Sequence, residues 1–167
     1  MLSRESSFIS LIYDVDVVRY FSSFEQEDGF LILHGDEKYL FVDKRYYYQA
    51  LSNADANVVL LDNKSLESFI KDNNVNTVGL IYSLTSVSAF KEITDLGVKV
   101  EDIEKEVNLI RSVKTERELQ LIKTAEQICE KSFIETLKFI KLGVTEKEVA
   151  AYLEYQFKLN GAEVTSF

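Results

Sequence analysis

Apolar residues in this 167-residue chain change their spacing once, near residue 112, and that change limits the possible folds more than any other feature. Before it, short consecutive apolar runs alternate with stretches of helical spacing. Gly29-Phe-Leu-Ile-Leu-His34 and Tyr39-Leu-Phe-Val42 flank the polar Gly35-Asp36-Glu37-Lys38, which predicts a β-hairpin around a four-residue turn. Asn57-Val-Val-Leu-Leu61 and Thr77-Val-Gly-Leu-Ile-Tyr82 are apolar on consecutive residues and read as strands buried on both faces. Helices are expected from Arg45 to Leu51, from Ser65 to Lys71 and from Thr85 to Ile93, with a last strand at Val98-Lys-Val100. This β-β-α-β-α-β-α-β order implies an α/β fold. Its mixed sheet is flanked by helices, with one hairpin and otherwise parallel neighbours.

After residue 112 the pattern is helical almost throughout. Thr115 stands three residues before Glu118, the spacing of a capping box, and opens a helix expected to reach Leu142. Leu119, Ile122, Cys129, Phe133, Leu137 and Ile140 fall on one face of it. Gly143 interrupts the pattern, and Thr145 with Glu148 repeats the box before a second helix striped by Val149, Leu153 and Phe157. Asn160-Gly161 closes that helix, and Glu163 to Phe167 reads as the start of a strand. The expected organisation is a complete domain over 1–112, then two long amphipathic helices and a strand opening over 113–167, the first pieces of an incomplete second domain. Uncovered stripes on those helices are expected to drive dimerisation, swapping or refolding onto the first domain.

Composition removes several function classes. One cysteine allows neither an internal disulfide nor a cysteine-based zinc site and fits a reducing, cytoplasmic compartment. No run approaches the ~18 apolar residues of a membrane span, and Asp14 and Asp16 break the only apolar stretch near the N-terminus, so neither anchor nor signal peptide is expected. The net charge is −9, with 19 acidic and 11 basic residues before residue 113 against 9 and 8 after it. Such a surface repels phosphate backbones, so nucleic acid is not an expected partner.

Five short segments resemble one family. Tyr20-Phe-Ser-Ser-Phe24 resembles the YLTGF-like segment of the creatinase/prolidase N-terminal domain, and Phe41-Val-Asp-Lys-Arg-Tyr46 through Gln49-Ala50 resembles its F-x-D-x-R-Y-x-x-Q-A signature. Leu109-Ile-Arg111-Ser-Val-Lys114, with Glu118, is similar to the segment leading into that family's catalytic domain. Leu142-Gly-Val-Thr-Glu-Lys-Glu-Val149 and Gly161-Ala162 to Ser166-Phe167 resemble later segments in the same order. The resemblance implies a ribonuclease-H-like topology for the first domain and the opening of a pita-bread catalytic domain for the rest. The implied parent is a Xaa-Pro aminopeptidase or Xaa-Pro dipeptidase that hydrolyses the bond preceding proline in peptides with two divalent metal ions, Mn or Co. The five metal ligands of that family lie beyond the segment matching Phe167, so the resemblance places no catalytic residue and no metal ligand in this chain. It implies a non-catalytic role in oligomerisation, as a dimer, and in shaping the active site; the alternative is a peptidase-like module that binds a protein partner without catalysis.

By the same resemblance, Phe24, Asp43, Arg45 and Tyr46 are candidates for the neighbourhood of substrate or of a second subunit, and Arg111 and Lys114 for the domain junction. Each also has a structural reading. Asp43 is placed to cap the helix starting near Arg45, Arg45 to pair with a nearby carboxylate, and Tyr20 and Phe24 to pack in or beside the core. One ring of Tyr46-Tyr47-Tyr48 is expected to face inward. His34 is expected to be satisfied within its strand, and Cys129 to be a buried, inert thiol. Glu25 to Asp28 and Glu101 to Glu104 read as solvated turns, not as a nuclease metal site.

Overall fold

The computed structural model describes residues 6–25 and 28–163, which divide into two compact units at Ser112 and Val113. In the first, six strands form one sheet in the order β4-β3-β2-β1-β5-β6: β1 Phe8–Ile12, β2 Gly29–His34, β3 Glu37–Val42, β4 Asn57–Leu60, β5 Thr77–Leu80 and β6 Lys99–Asp102. Helices α1 (Val15–Ser22), α2 (Tyr47–Asn53) and α5 (Glu104–Ser112) contribute Val17, Val18, Ala50 and Val107 to the core on one sheet face. Helices α3 (Ser65–Asp72) and α4 (Val87–Asp95) contribute Ile70 and Ile93 on the other. The expected mixed α/β sheet is what forms.

Three details differ from the sequence expectation. The segment before Asp14, read as a weak apolar stretch, is β1, at the middle of the sheet with all five residues buried. It pairs antiparallel with β2 and parallel with β5, so the sheet has two antiparallel pairs where one was expected. Asp14 and Asp16 did not argue against a strand: Asp14 caps α1, accepting the Val17 amide at 3.0 Å, and Asp16 sits in its first turn. Second, the β2–β3 loop is only Gly35-Asp36, since His34 pairs with Glu37; a two-residue loop needs positive φ, and Gly35 supplies 59°. Third, β4 is an edge strand whose Leu60 is 50 % exposed, not a strand buried on both faces.

At the sheet centre, Ser10 stands opposite Gly79. A Cβ on Gly79 would lie 2.6 Å from Ile103 Cγ2 and 2.7 Å from Phe8 Cζ, so the absence of a side chain lets those two groups close over the sheet. Ser10 is fully buried, and its hydroxyl has no hydrogen-bond partner among the described residues.

The second unit is a helical hairpin of α6 (Glu116–Phe139) and α7 (Glu146–Leu159). Both expected capping boxes form. The amides of Glu118 and Glu148 reach the hydroxyls of Thr115 and Thr145 at 3.3 Å, and each glutamate carboxylate accepts its threonine amide at 2.8 Å. Between the helices lie small and polar groups: Ser132, Thr136 and Gln156 are buried, and Asn160 donates to Ser132 Oγ at 3.1 Å. Phe139 stacks on Tyr152 with centroids 4.3 Å apart. The apolar stripe is turned elsewhere. Leu119, Ile122, Phe133, Leu137 and Ile140 are all exposed, Phe133 by 56 %, and Cys129 with them, contrary to the buried thiol expected. Amphipathic spacing sorts residues to one side of a helix but does not ensure that the apolar side is covered. The strand opening expected at Glu163 to Phe167 falls, after its first residue, outside the described residues.

Candidate functional site

Strand pairing assembles the candidate cluster. Gly29 opposes Val42 at the end of the β2–β3 ladder, which brings Asp28 and Asp43, one residue beyond each, to the same end of the sheet. Arg45 bridges them: its Nε donates to Asp43 Oδ1 at 2.8 Å and its Nη2 donates to Asp28 Oδ2. The backbone amide of Arg45 also donates to Asp43 Oδ1, at 2.9 Å. Asp43 therefore organises a turn, with its carbonyl accepting the Tyr46 amide at 3.0 Å. It is not the cap of the following helix, as expected from sequence, because α2 begins later, at Tyr47, with Tyr46 as a cap residue that makes no side-chain bond. The expected carboxylate partner of Arg45 is Asp43 itself, together with Asp28.

The electrostatics follow from these bonds. The Arg45 amide, and then its guanidinium, hold the Asp43 carboxyl below the usual carboxylate range. Hydrogen bonds to Asp43, then to Asp28, push the Arg45 guanidinium further up. The Asp43 carboxylate and the Arg45 guanidinium thus favour each other's charged form, and the cluster clamps two strand ends.

Tyr46 is half-buried against the core, with the Arg45 guanidinium carbon 5.4 Å from its ring centroid. Phe24 is buried in the same core cluster. Tyr47 also packs there, so two of the three consecutive rings face inward, while Tyr48 is 80 % exposed. Arg111 lies over the Tyr20 ring at 5.7 Å, which ties the end of α5 to the YFSSF segment within the first unit. Lys114 is exposed just ahead of α6 in the second unit. His34 Nε2 lies 2.7 Å from the Ser6 carbonyl. Of the Glu25 to Asp28 turn, Glu25 pairs with Arg19 at 2.8 Å and Asp28 with Arg45, while residues 26 and 27 lie outside the described residues.

Sequence reasoning missed Asp28 as a member of the cluster. The signal was present in Asp28-Gly29 opening one strand and Val42-Asp43 closing its hairpin partner. Among the described residues no group of three or more His, Cys, Asp or Glu could hold a metal ion, so their donor set does not fit a dinuclear centre. No helix among them is long and apolar enough to cross a membrane.

Comparison with known proteins gives this geometry a context. The family model of the creatinase/prolidase N-terminal domain matches residues 3–113. A Xaa-Pro dipeptidase of Pyrococcus furiosus is 33 % identical over 143 residues, covering 83 % of this chain and 40 % of its own. An uncharacterised peptidase of Bacillus subtilis is 29 % identical over 163 residues, covering 90 % of this chain and 44 % of its own. The crystal structure of an X-Pro aminopeptidase from Thermotoga maritima superposes with a TM-score of 0.89 at 32 % identity, over 95 % of this chain and 48 % of that one. The chain thus spans less than half the length of these relatives. Over its matched N-terminal two-thirds, and with the mixed sheet that the structural neighbours share, the chain belongs to the creatinase/prolidase N-terminal domain family.

Proposed function

We propose that this chain is the non-catalytic N-terminal part of a cytoplasmic Xaa-Pro peptidase, whose parent hydrolyses the bond preceding proline. The first unit would serve oligomerisation and the shaping of the active-site entrance. One observation carries this reading: the Thermotoga X-Pro aminopeptidase matches 95 % of the chain, both units included, with only 48 % of its own length. On this reading α6 and α7 open the catalytic domain, and the exposed stripe from Leu119 to Ile140 is the side that domain would cover. Two divalent metals, Mn or Co, would activate a water nucleophile and polarise the scissile carbonyl in the parent. No described group here fits them, so no step of that chemistry is assigned to this chain.

Within the first unit, Arg45 is proposed to hold the Asp28 and Asp43 strand ends rigid so that Tyr46 and the neighbouring Phe24 segment keep one shape toward substrate or a second subunit. Arg111 and Lys114 are proposed to act at the junction. The test is the reading frame that continues past Phe167. It should encode metal ligands in the order Asp, Asp, His, Glu, Glu, and its product should cleave a Xaa-Pro dipeptide or a longer peptide with proline second. A frame carrying the fold without those ligands would instead indicate a protein-binding module.

A further inference from the structure

The two edges of the sheet differ in a way the peptidase reading does not use. On β6 the edge carries Lys99, Glu101 and Asp102, with Lys99 and Glu101 paired at 2.7 Å; such charges block strand addition. On β4 the edge is Asn57-Val-Val-Leu60, with no charge. Residues 46 to 61, which include α2 and β4, hold a single charged residue in sixteen, Asp55, and Lys38 neutralises it at 2.6 Å. Beside β4, α2 exposes Tyr48 and Leu51 and carries no charge.

The backbone sets the direction of this edge. The Leu61 amide donates to the Val42 carbonyl, so alternate amides point inward to β3 and those of Val58 and Leu60 point out. A chain of net charge −9 repels its own copy except across an uncharged surface. A two-fold axis through Val59 would pair Val58 with Leu60 of the second copy and the reverse, forming four backbone hydrogen bonds. Continued beyond the strand, that register sets Asp55 across from Asn63, between Asp62 and Lys64 of the other copy, and Asp62 across from Ala56, so no two like charges stand directly opposite each other. A second uncharged exposed stretch, Tyr82 to Phe90, offers side chains but no sheet edge.

We propose that the β4 edge, with Tyr48 and Leu51 of α2 beside it, docks a second copy of this chain by antiparallel β4–β4 pairing, joining two six-stranded sheets. This deepens, and rests on, the homo-oligomeric part of the proposed function. The contact involves fewer than the ~20–30 residues per side of a standard interface, so it should be a weak one, in the micromolar range.

Sedimentation equilibrium of the full chain from about 1 to 500 μM tests it, alongside Leu60→Pro, Leu60→Lys and Phe133→Lys. Leu60→Pro removes only an outward amide and leaves the β3–β4 ladder intact, and Leu60→Lys charges an exposed position, with circular dichroism confirming the fold of each. The expected result is a dimer weakened at least about ten-fold by both Leu60 variants and unchanged by Phe133→Lys, with the Val58 and Leu60 amides gaining exchange protection as concentration rises. A dimer indifferent to both Leu60 variants would overturn the edge assignment and leave the oligomeric reading standing. A monomer at every concentration would overturn both.

Discussion

At the scale of single residues, the sheet centre is the most demanding place in the fold. Ser10 keeps a buried hydroxyl without a described partner beside Gly79, whose missing side chain Ile103 and Phe8 occupy. Ser10→Ala should therefore raise unfolding stability, by about 1 kcal/mol, since it removes an uncompensated polar group at nearly constant volume. Chemical denaturation measures this, and a loss of similar size would mean that the hydroxyl is satisfied. Gly79→Ala should cost about 1–3 kcal/mol, because both neighbours of the new methyl are packed side chains in the core. Tyr13 supplies a pH dependence. Burial, and then the nearby charge of Glu92, push its phenol up to about 12. The folded state therefore binds that proton more tightly than the unfolded state. The contribution is present in full below the ordinary tyrosine value near 10 and is lost as pH rises from there through about 12. Absorbance titration at alkaline pH should show Tyr13 ionising well above the ordinary tyrosine value, and Tyr13→Phe should flatten the alkaline loss of stability.

At the scale of elements, caps and registers decide what forms. Glu118 and Glu148 are held below the usual glutamate range by their bonds to Thr115 and Thr145, so each box contributes above the ordinary value near 4.3 and fades as pH falls below it. Because both carboxylates are exposed, Thr115→Ala or Thr145→Ala is the cleaner test: each should lower helix stability by about 1 kcal/mol, read as faster amide exchange in the first turn of α6 or α7. These boxes were legible in the sequence because a cap is a local contact three residues long. The hairpin, α3 and the later parallel strands were legible for the same reason of local periodicity. The central strand β1 was not, since Asp14 and Asp16 looked like interruptions of an apolar stretch when they belong to the next helix. Asp28 was missed because a four-residue turn was expected, whereas the two-residue Gly35-Asp36 loop sets the Gly29–Val42 register that brings it to Arg45. The α6 stripe was expected to be uncovered, yet Cys129 on the same face was read as buried, because periodicity shows which side is apolar and not whether anything lies against it.

At the scale of the whole molecule, the two units differ in how they bury their apolar surface. The first has two cores, one on each sheet face, while the second leaves the stripe of α6 exposed and packs small and polar groups between its helices. That contrast is what a chain spanning 40–48 % of its Xaa-Pro peptidase relatives would show if its second unit were the opening of their catalytic domain. The most direct measurement is hydrolysis of Xaa-Pro peptides, with Mn or Co supplied, by the 167-residue chain and by the product of its frame continued past Phe167. The expected result is cleavage by the extended product and none above background by the 167-residue chain. Metal-dependent turnover by the 167-residue chain alone would contradict it.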